Sequence, residues 1–482
     1  VPDTGWTAFP ALSEDARGHH PVGEGTACLE FPDCSLPTVD EAHEYRDLDS
    51  RYLPPGITWA LARATEAERR SGRGRWETPS MRILLTDGSG LTSRQVSTIL
   101  AAAGHDVEVL TPDPLALTRF TRTVRYVHRV PPYGDDPVLW LEAALSVYGA
   151  GRFDVLFPTQ EQVAVLAASP DRLAGAGIAT AVPDFDALAR VQDKVSAHRT
   201  LSRLGLPEPR TSVVADARDR SAWSTFPCFV KAPIGTASQG VVRLEGPAGL
   251  AEAVHALGDT EVLVQAAADG PLVMIQAVFD DGVLVASHAN LRAREGAGGG
   301  ASHKTSVDLP EVRAHVAALG AGLRWRGALS MDAILTDEGP RYIDVNPRLV
   351  EPVNAQRAGV DLVAALLDVA LGRPAAVQAT GRSGVRTHQG LLALLGAAQQ
   401  VRPRRAVLAE AVAILGHRGD YRGSVEELTP LRGDWRSAIP SVAAAAATLV
   451  HPPLWRSFAS NATTNYALSP AGWQMLREGR AR

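Results

Sequence analysis

From residue 81 onward the apolar positions alternate between a helical spacing of about 3.6 and a strand spacing of 2. Residues 81–85 read as a buried strand, 86–93 as a Gly-rich turn and 94–103 as a helix. Gly104 ends that helix and 106–110 form the next strand, so a βαβ unit opens a Rossmann-like domain. The turn DGSGLTS has Ser93 where a dinucleotide fingerprint needs its third glycine. Residues 154–157 form a further strand, with Thr159 and Gln160–Gln162 at its C-terminal end, where open α/β sheets bind ligands. Helix capping is the favoured role for Thr159, Glu161 and Gln162. The stretch from 184 contains an amphipathic helix that ends at Gly205, with Lys194 inside it.

Residues 226–231 make a strand ending at Lys231, followed by a small-residue loop with Gly235, Thr236, Ser238 and Gly240. Residues 261–265 are the next strand, and two alternating segments follow around Gly turns. Residues 295–304 are too rich in glycine to pack, so a mobile loop near ligand is expected, with His303, a minor candidate, and Lys304 at its far end. After a helix over 310–322, strands 329–335 and 341–345 are joined by the turn TDEGP. Beyond about 375 alanine and leucine recur at helical spacing, and no polar cluster there suggests chemistry. Residues 1–80 show no sustained period beyond a short helix within 54–70 and a linker at 71–80.

The chain has 482 residues, 45% hydrophobic and 21% charged, enough for several domains with real cores. A net charge of −5 gives no support for nucleic-acid or anionic-membrane binding. No apolar window of about 18 residues exists, so neither a membrane span nor a membrane partner is expected. A cytoplasmic location is the expectation. Cys28, Cys34 and Cys228 make no disulfide framework, and Cys28 and Cys34 with His19 and His20 fit no familiar metal spacing. Among 48 basic residues only Lys194, Lys231 and Lys304 are lysines. Where arginine supplies general surface charge, the remaining lysines are candidates for work that needs a compact ammonium, such as holding one phosphate oxygen.

The candidate chemistry centres on RYIDVNPRLVEP, 341–352. Asp344, Asn346 and Arg348 recur at every second position, so an extended backbone puts them on one face. A carboxylate and an amide oxygen suit Mg²⁺, and the guanidinium suits phosphate oxygens. Asp332 lies in the neighbouring apolar strand, where an unpaired carboxylate is costly. The hairpin would set it beside Asp344. The loop 235–240, following Lys231, offers backbone N–H groups to phosphate.

Five segments in this order resemble the ATP-grasp superfamily: QDK with Lys194, FVKAPIGTASQGV with Lys231, EVLVQ, the MD strand with Asp332, and DVNPR with Asp344, Asn346 and Arg348. The resemblance spans roughly residues 81–375 and is nearest the carboxylate–amine ligase and carbamoyl-phosphate-synthetase-like branches. It implies an α/β and α+β architecture. Residues 1–80 would be an N-terminal extension, 81–185 a Rossmann-like domain, and 186–375 an ATP-grasp domain with a lid over about 210–265. Residues 376–482 would be a mostly helical C-terminal domain. The cofactors implied are ATP and Mg²⁺, with Mn²⁺ as a substitute. Lys194, Lys231 and the loop residues Gly235, Thr236, Ser238 and Gly240 would bind the triphosphate. The backbone of Val262, Val264 and Gln265 would bind adenine. Asp332, Asp344 and Asn346 would hold the metal, although the family more often has Glu where Asp344 stands. Arg348 would stabilise the transferred phosphoryl group, and Arg292 and Lys304 would face the γ-phosphate or a substrate carboxylate. The usual ribose contact, a Gly-x-Glu, is replaced by Gly270-Pro271-Leu272, leaving Asp269 for that role. The implied activity is ATP-dependent amide formation from a small carboxylate and an amine, in small-molecule biosynthesis, with a homodimer as the candidate assembly. A bicarbonate-activating enzyme and a non-catalytic ATP-binding regulator are the alternatives.

Overall fold

The computed structural model describes residues 80–214, 223–236, 240–257, 261–428 and 433–479, omitting the side chains of 459–461. All belong to the compact unit Pro79–Arg482. The helix expected within 54–70, the His19, His20, Cys28 and Cys34 group, and Ser238 lie outside the described residues.

Three sheets carry the architecture. The first is parallel, in the order β3-β2-β1-β4, from β1 (Arg82–Leu85), β2 (Asp106–Thr111), β3 (Val124–Arg129) and β4 (Val155–Phe157). Ile83 and Leu85 face one core with Val107, Val109 and Phe157. Leu84 faces another with Leu110, Trp140 and Leu156. Burial on both faces is why these strands read as unbroken apolar runs. β3 escaped the sequence reading because most of it is half-exposed at the sheet edge.

The second sheet is a small antiparallel one, ordered β5-β8-β6-β7, from β5 (Thr211–Val214), β6 (Cys228–Lys231), β7 (Val241–Leu244) and β8 (Val262–Ala266). The third has seven strands in the order β13-β12-β9-β10-β11-β14-β15. These are β9 (Leu272–Asp280), β10 (Val283–Glu295), β11 (Ala301–Val307), β12 (Gly327–Thr336), β13 (Gly339–Asn346), β14 (Arg386–His388) and β15 (Val425–Glu426). The last two come from the C-terminal region, so that region is not only helical. No helix among the described residues is long and apolar enough to cross a membrane.

Two expectations are corrected here. The segment 184–205 is two helices, Phe185–Ala189 and Lys194–Arg203. Lys194 therefore opens the second one, where the Asp193 carboxylate caps Ser196 N at 2.7 Å. The glycine-rich stretch is no open loop but a tight connection between β10 and β11. Gly296 N donates to Gly300 O at 2.7 Å, and Ala297 is buried. A Cβ on Gly296 would sit 3.0 Å from Leu392 O. These glycines thus let the turn pack against the helix Gly390–Ala397.

Candidate active site

Cross-strand pairing builds one polar face on the seven-stranded sheet. Asp332 pairs with Asp344 and Ser330 with Asn346 across β12 and β13. Continuing across, Ser330 pairs with Gln276, Gln276 with His288, Asn290 with Ser306, and Arg292 with Lys304. Residues directly opposite share a face, so these side chains line one surface. The opposite face, with Ile275, Leu329, Met331 and Tyr342, is core.

The Asp332–Asp344 juxtaposition inferred from the hairpin is therefore present. Two carboxylates at one sheet position repel each other. Burial, and then the charge of Asp344, push Asp332 up to about 7, against the pull of Arg348, Arg292 and Lys231. Asn346 Nδ2 is 3.4 Å from Asp344 Oδ2. Among the described residues no three His, Cys, Asp or Glu side chains converge as a metal cage. Two carboxylates and one amide oxygen still fit a hard cation that keeps oxygens of water or phosphate as its other ligands.

A β-bulge next to this pair does specific work. Asp344 pairs with Asp332 and Tyr342 with Ala333, leaving Ile343 out of the ladder. Its carbonyl accepts from Lys231 Nζ at 2.8 Å, and Gln265 Oε1 accepts from the same ammonium at 2.8 Å. Burial lowers Lys231 to about 8, with Asp344 opposing that fall. Lys194 Nζ donates to Gly235 O at 2.7 Å, and Lys194 N to Pro233 O at 2.9 Å, so the second lysine holds the turn after β6. Gly240, at φ +70, closes that turn on Ala232 N at 2.7 Å. The Thr236 hydroxyl donates to Glu161.

Arg348 N donates to Asn346 O at 2.8 Å. Its guanidinium lies 6.0 Å from the ring centre of Tyr466, and its Nε is buried without a partner. Arg292 Nη1 donates to Gly299 O at 2.7 Å.

Three expectations change. Lys304 is not free for a ligand phosphate, because its ammonium is buried between Glu351 at 2.5 Å and Glu427 at 2.7 Å. A buried ammonium must be paired, and these carboxylates raise its pKa against burial. Val264 and Gln265 pair with β5 on one side and β6 on the other, and Val262 pairs with Val214 of β5. Backbone groups committed to the ladders of a central strand are not free to meet an adenine edge. Glu161 caps no helix; it accepts from Thr236 and, at 2.7 Å, from Leu468 N. Gln162 makes no capping bond either, and Thr159 Oγ1 accepts from Ser93 Oγ at 3.2 Å.

The C-terminal region thus reaches the site through Gln389, Glu427, Tyr466 and Leu468, none of which had a local sequence signal. A cavity of about 530 Å³ lies between the turn at Ile234–Thr236 and residues 464–470. Asp87, at the end of β1, is buried and accepts from Ser89 N, Gly90 N and the hydroxyls of Ser89 and Ser93. Burial raises its pKa.

No family model and no curated protein matches the chain. Solved structures do. The biotin carboxylase domain dimer of Hydrogenobacter thermophilus 2-oxoglutarate carboxylase, in complex with MgADP, ADP and bicarbonate, matches with TM-score 0.52 at 17% identity, over 64% of this chain and 73% of that one. Campylobacter jejuni biotin carboxylase matches with TM-score 0.51 at 18% identity, over 64% and 74%. N5-carboxyaminoimidazole ribonucleotide synthetase from Thermus thermophilus matches with TM-score 0.50 at 19% identity, over 64% and 81%. The fold is that of the ATP-grasp enzymes.

Proposed function

We propose that this chain, with its ATP-grasp fold, is an ATP-dependent ligase that activates a small carboxylate as an acyl phosphate and passes the acyl group to an amine. The observation that carries this reading is the Asp332–Asp344 pair, flanked by Asn346 and Arg348 and facing the Lys231 ammonium. Asp332, Asp344 and Asn346 hold Mg²⁺, which when bound neutralises triphosphate charge. Lys231 and Lys194 line the phosphates, with the turn at Gly235, Thr236 and Gly240 above them. Ser238 is assigned the same role from its place in the sequence. The adenine edge meets backbone beyond Ala267, and Asp269 serves the ribose. Arg348 and Arg292 orient the substrate carboxylate and the γ-phosphoryl group. A carboxylate oxygen attacks the γ-phosphorus in line, and the bond to ADP breaks with its electron pair leaving on ADP. The amine then attacks the acyl carbon and expels phosphate. Positioning and charge neutralisation supply the rate, with no nucleophilic Ser or Cys.

ADP release is to be measured with Mg·ATP over a panel of amino acids and other small acids, bicarbonate included, with and without amines. Hydroxylamine serves as the trap for the acyl phosphate. Acid-dependent ADP release with hydroxamate formation is the expected result. Release that needs only bicarbonate favours the carboxylase reading, a natural comparison given the bicarbonate in the Hydrogenobacter complex. Tight nucleotide binding without release under any pairing points to a regulator.

The Asp332 titration gives a pH test. Its folded pKa, about 7, lies above the ordinary 3.8. The stability this shift contributes is fully present below about pH 4 and is lost as pH rises through about 7. Metal binding needs the ionised form, so Mg·ADP must displace the Asp332 proton under acidic conditions. Mg·ADP should therefore bind about tenfold more weakly at about pH 6 than at about pH 7.5, by titration calorimetry. Equal affinity at both values would remove Asp332 from the metal site.

A further inference from the structure

Lys304 bridges two carboxylates, so one negative charge of the cluster is left without a cation. Its side chain is 1% exposed, that of Glu427 0% and that of Glu351 15%. Among the described residues Lys304 is the one cation within 4.0 Å of either carboxylate. The carboxylate oxygens are not equally occupied. Glu427 Oε1 accepts from Thr387 Oγ1 at 2.6 Å, and its Oε2 also takes Gln95 Nε2 at 2.9 Å and Gln389 Nε2 at 2.8 Å. Glu351 Oε2 takes Lys304 and Gln389. Glu351 Oε1 accepts no hydrogen bond among the described residues, on the side chain that keeps some exposure.

Buried polar atoms beside this cluster lack partners. Both side-chain atoms of Asn290 do, and so do Gln389 Oε1 and Gln276 Oε1. Asn290 is 1% exposed, Gln389 0% and Gln276 3%. Asn290 lies on the sheet face of Arg292 and Lys304. Gln389 binds both carboxylates, and Gln276 Nε2 lies 3.4 Å from Glu351 O. Orphaned carbonyl-type oxygens therefore outnumber orphaned donors, next to an uncompensated negative charge. Water would satisfy the oxygens but not the charge. A primary ammonium supplies three donors and one positive charge. Glu351 is also held at φ +48 just before Pro352, a backbone state that a non-glycine residue seldom adopts.

We propose that Glu351, Asn290, Gln276 and Gln389 form the subsite for the acceptor amine, with Lys304 and Glu427 as positioning residues. This rests on the ligase reading. Arg348 is three residues before Glu351 and Arg292 is the strand partner of Lys304, so the subsite adjoins the groups assigned to the acyl phosphate. The incoming ammonium gives one proton to Glu351 Oε1. The freed nitrogen lone pair bonds to the acyl carbon, and the carbon–oxygen bond to phosphate breaks with its pair on phosphate. The second nitrogen proton leaves with that phosphate as the amide forms.

The test uses the full chain with the acid that drives ADP release, and compares two nucleophiles. Hydroxylamine is uncharged at neutral pH and needs no base. Ammonia, methylamine and the α-amino groups of free amino acids arrive protonated. Glu351→Gln should lower the ratio of amide to hydroxamate product at least about tenfold. Glu427→Gln, which removes the surplus charge without touching the amine, should raise the amine KM while changing kcat less, and it covers the case where the first variant misfolds. An unchanged ratio and amine KM in both variants would make the cluster an internal ion network only and overturn the proposal. Parallel loss of hydroxamate and amide would overturn it too, by assigning the cluster to carboxylate activation. Absence of hydroxamate from the wild type with every acid would instead sink the ligase reading, and the subsite with it.

Discussion

Asp344→Ala is expected to lower kcat/KM for acid-dependent ADP release by about 10³-fold or more, because it removes a metal ligand at the point where phosphoryl charge develops. The fold should not suffer. Asp344 raises the Asp332 pKa by like-charge repulsion, so its removal lets Asp332 ionise more readily. The cation-free protein should therefore keep or gain melting temperature near neutral pH. Lys231 loses in the same exchange, since Asp344 supports its protonated form. Its pKa should fall below about 8, and the phosphate side of the site weakens together with the metal side. Asp344→Glu keeps the charge and lengthens the reach by one methylene, so it should retain far more activity than the alanine variant. Activity of Asp344→Ala within about tenfold of wild type would end the metal assignment.

Lys304→Met should be the most destabilising single change in the site. It removes the cation from between Glu351 and Glu427 and leaves two carboxylates facing each other in the interior. Breaking a buried pair in this way costs about 3–5 kcal/mol. For a unit of this size that corresponds to a fall in Tm on the order of 4–6 °C. Adding Glu427→Gln to the variant should restore part of the Tm. A near-wild-type melting curve at neutral pH would show that Lys304 does not neutralise the pair.

Most strands that carry the site were legible because strand geometry is local. Alternation along 341–352 places Asp344 and Asn346 on one face whatever the rest of the chain does, and the short turn before it brings β12 alongside. The glycine-rich connection misled for the opposite reason. Gly296 and its neighbours signal flexibility in isolation, yet here they allow backbone to meet the helix Gly390–Ala397. The adenine expectation failed on sheet order. Whether β8 is an edge or a central strand depends on where β5 and β6 go, and neither is adjacent to it in the chain.

The amino-acid sequence by itself thus determined the acidic hairpin, the three lysines and the order of segments that carries the ATP-grasp resemblance, since each follows from spacing and side-chain chemistry over a few residues. Only the tertiary structure decided what those groups touch. Ile343 loses its ladder partner at a bulge and so receives Lys231. Lys304 finds Glu427 from 123 positions away, on the residue after the two-residue strand β15. Pairings of that kind are chosen by which surfaces close against each other, and no local period encodes them.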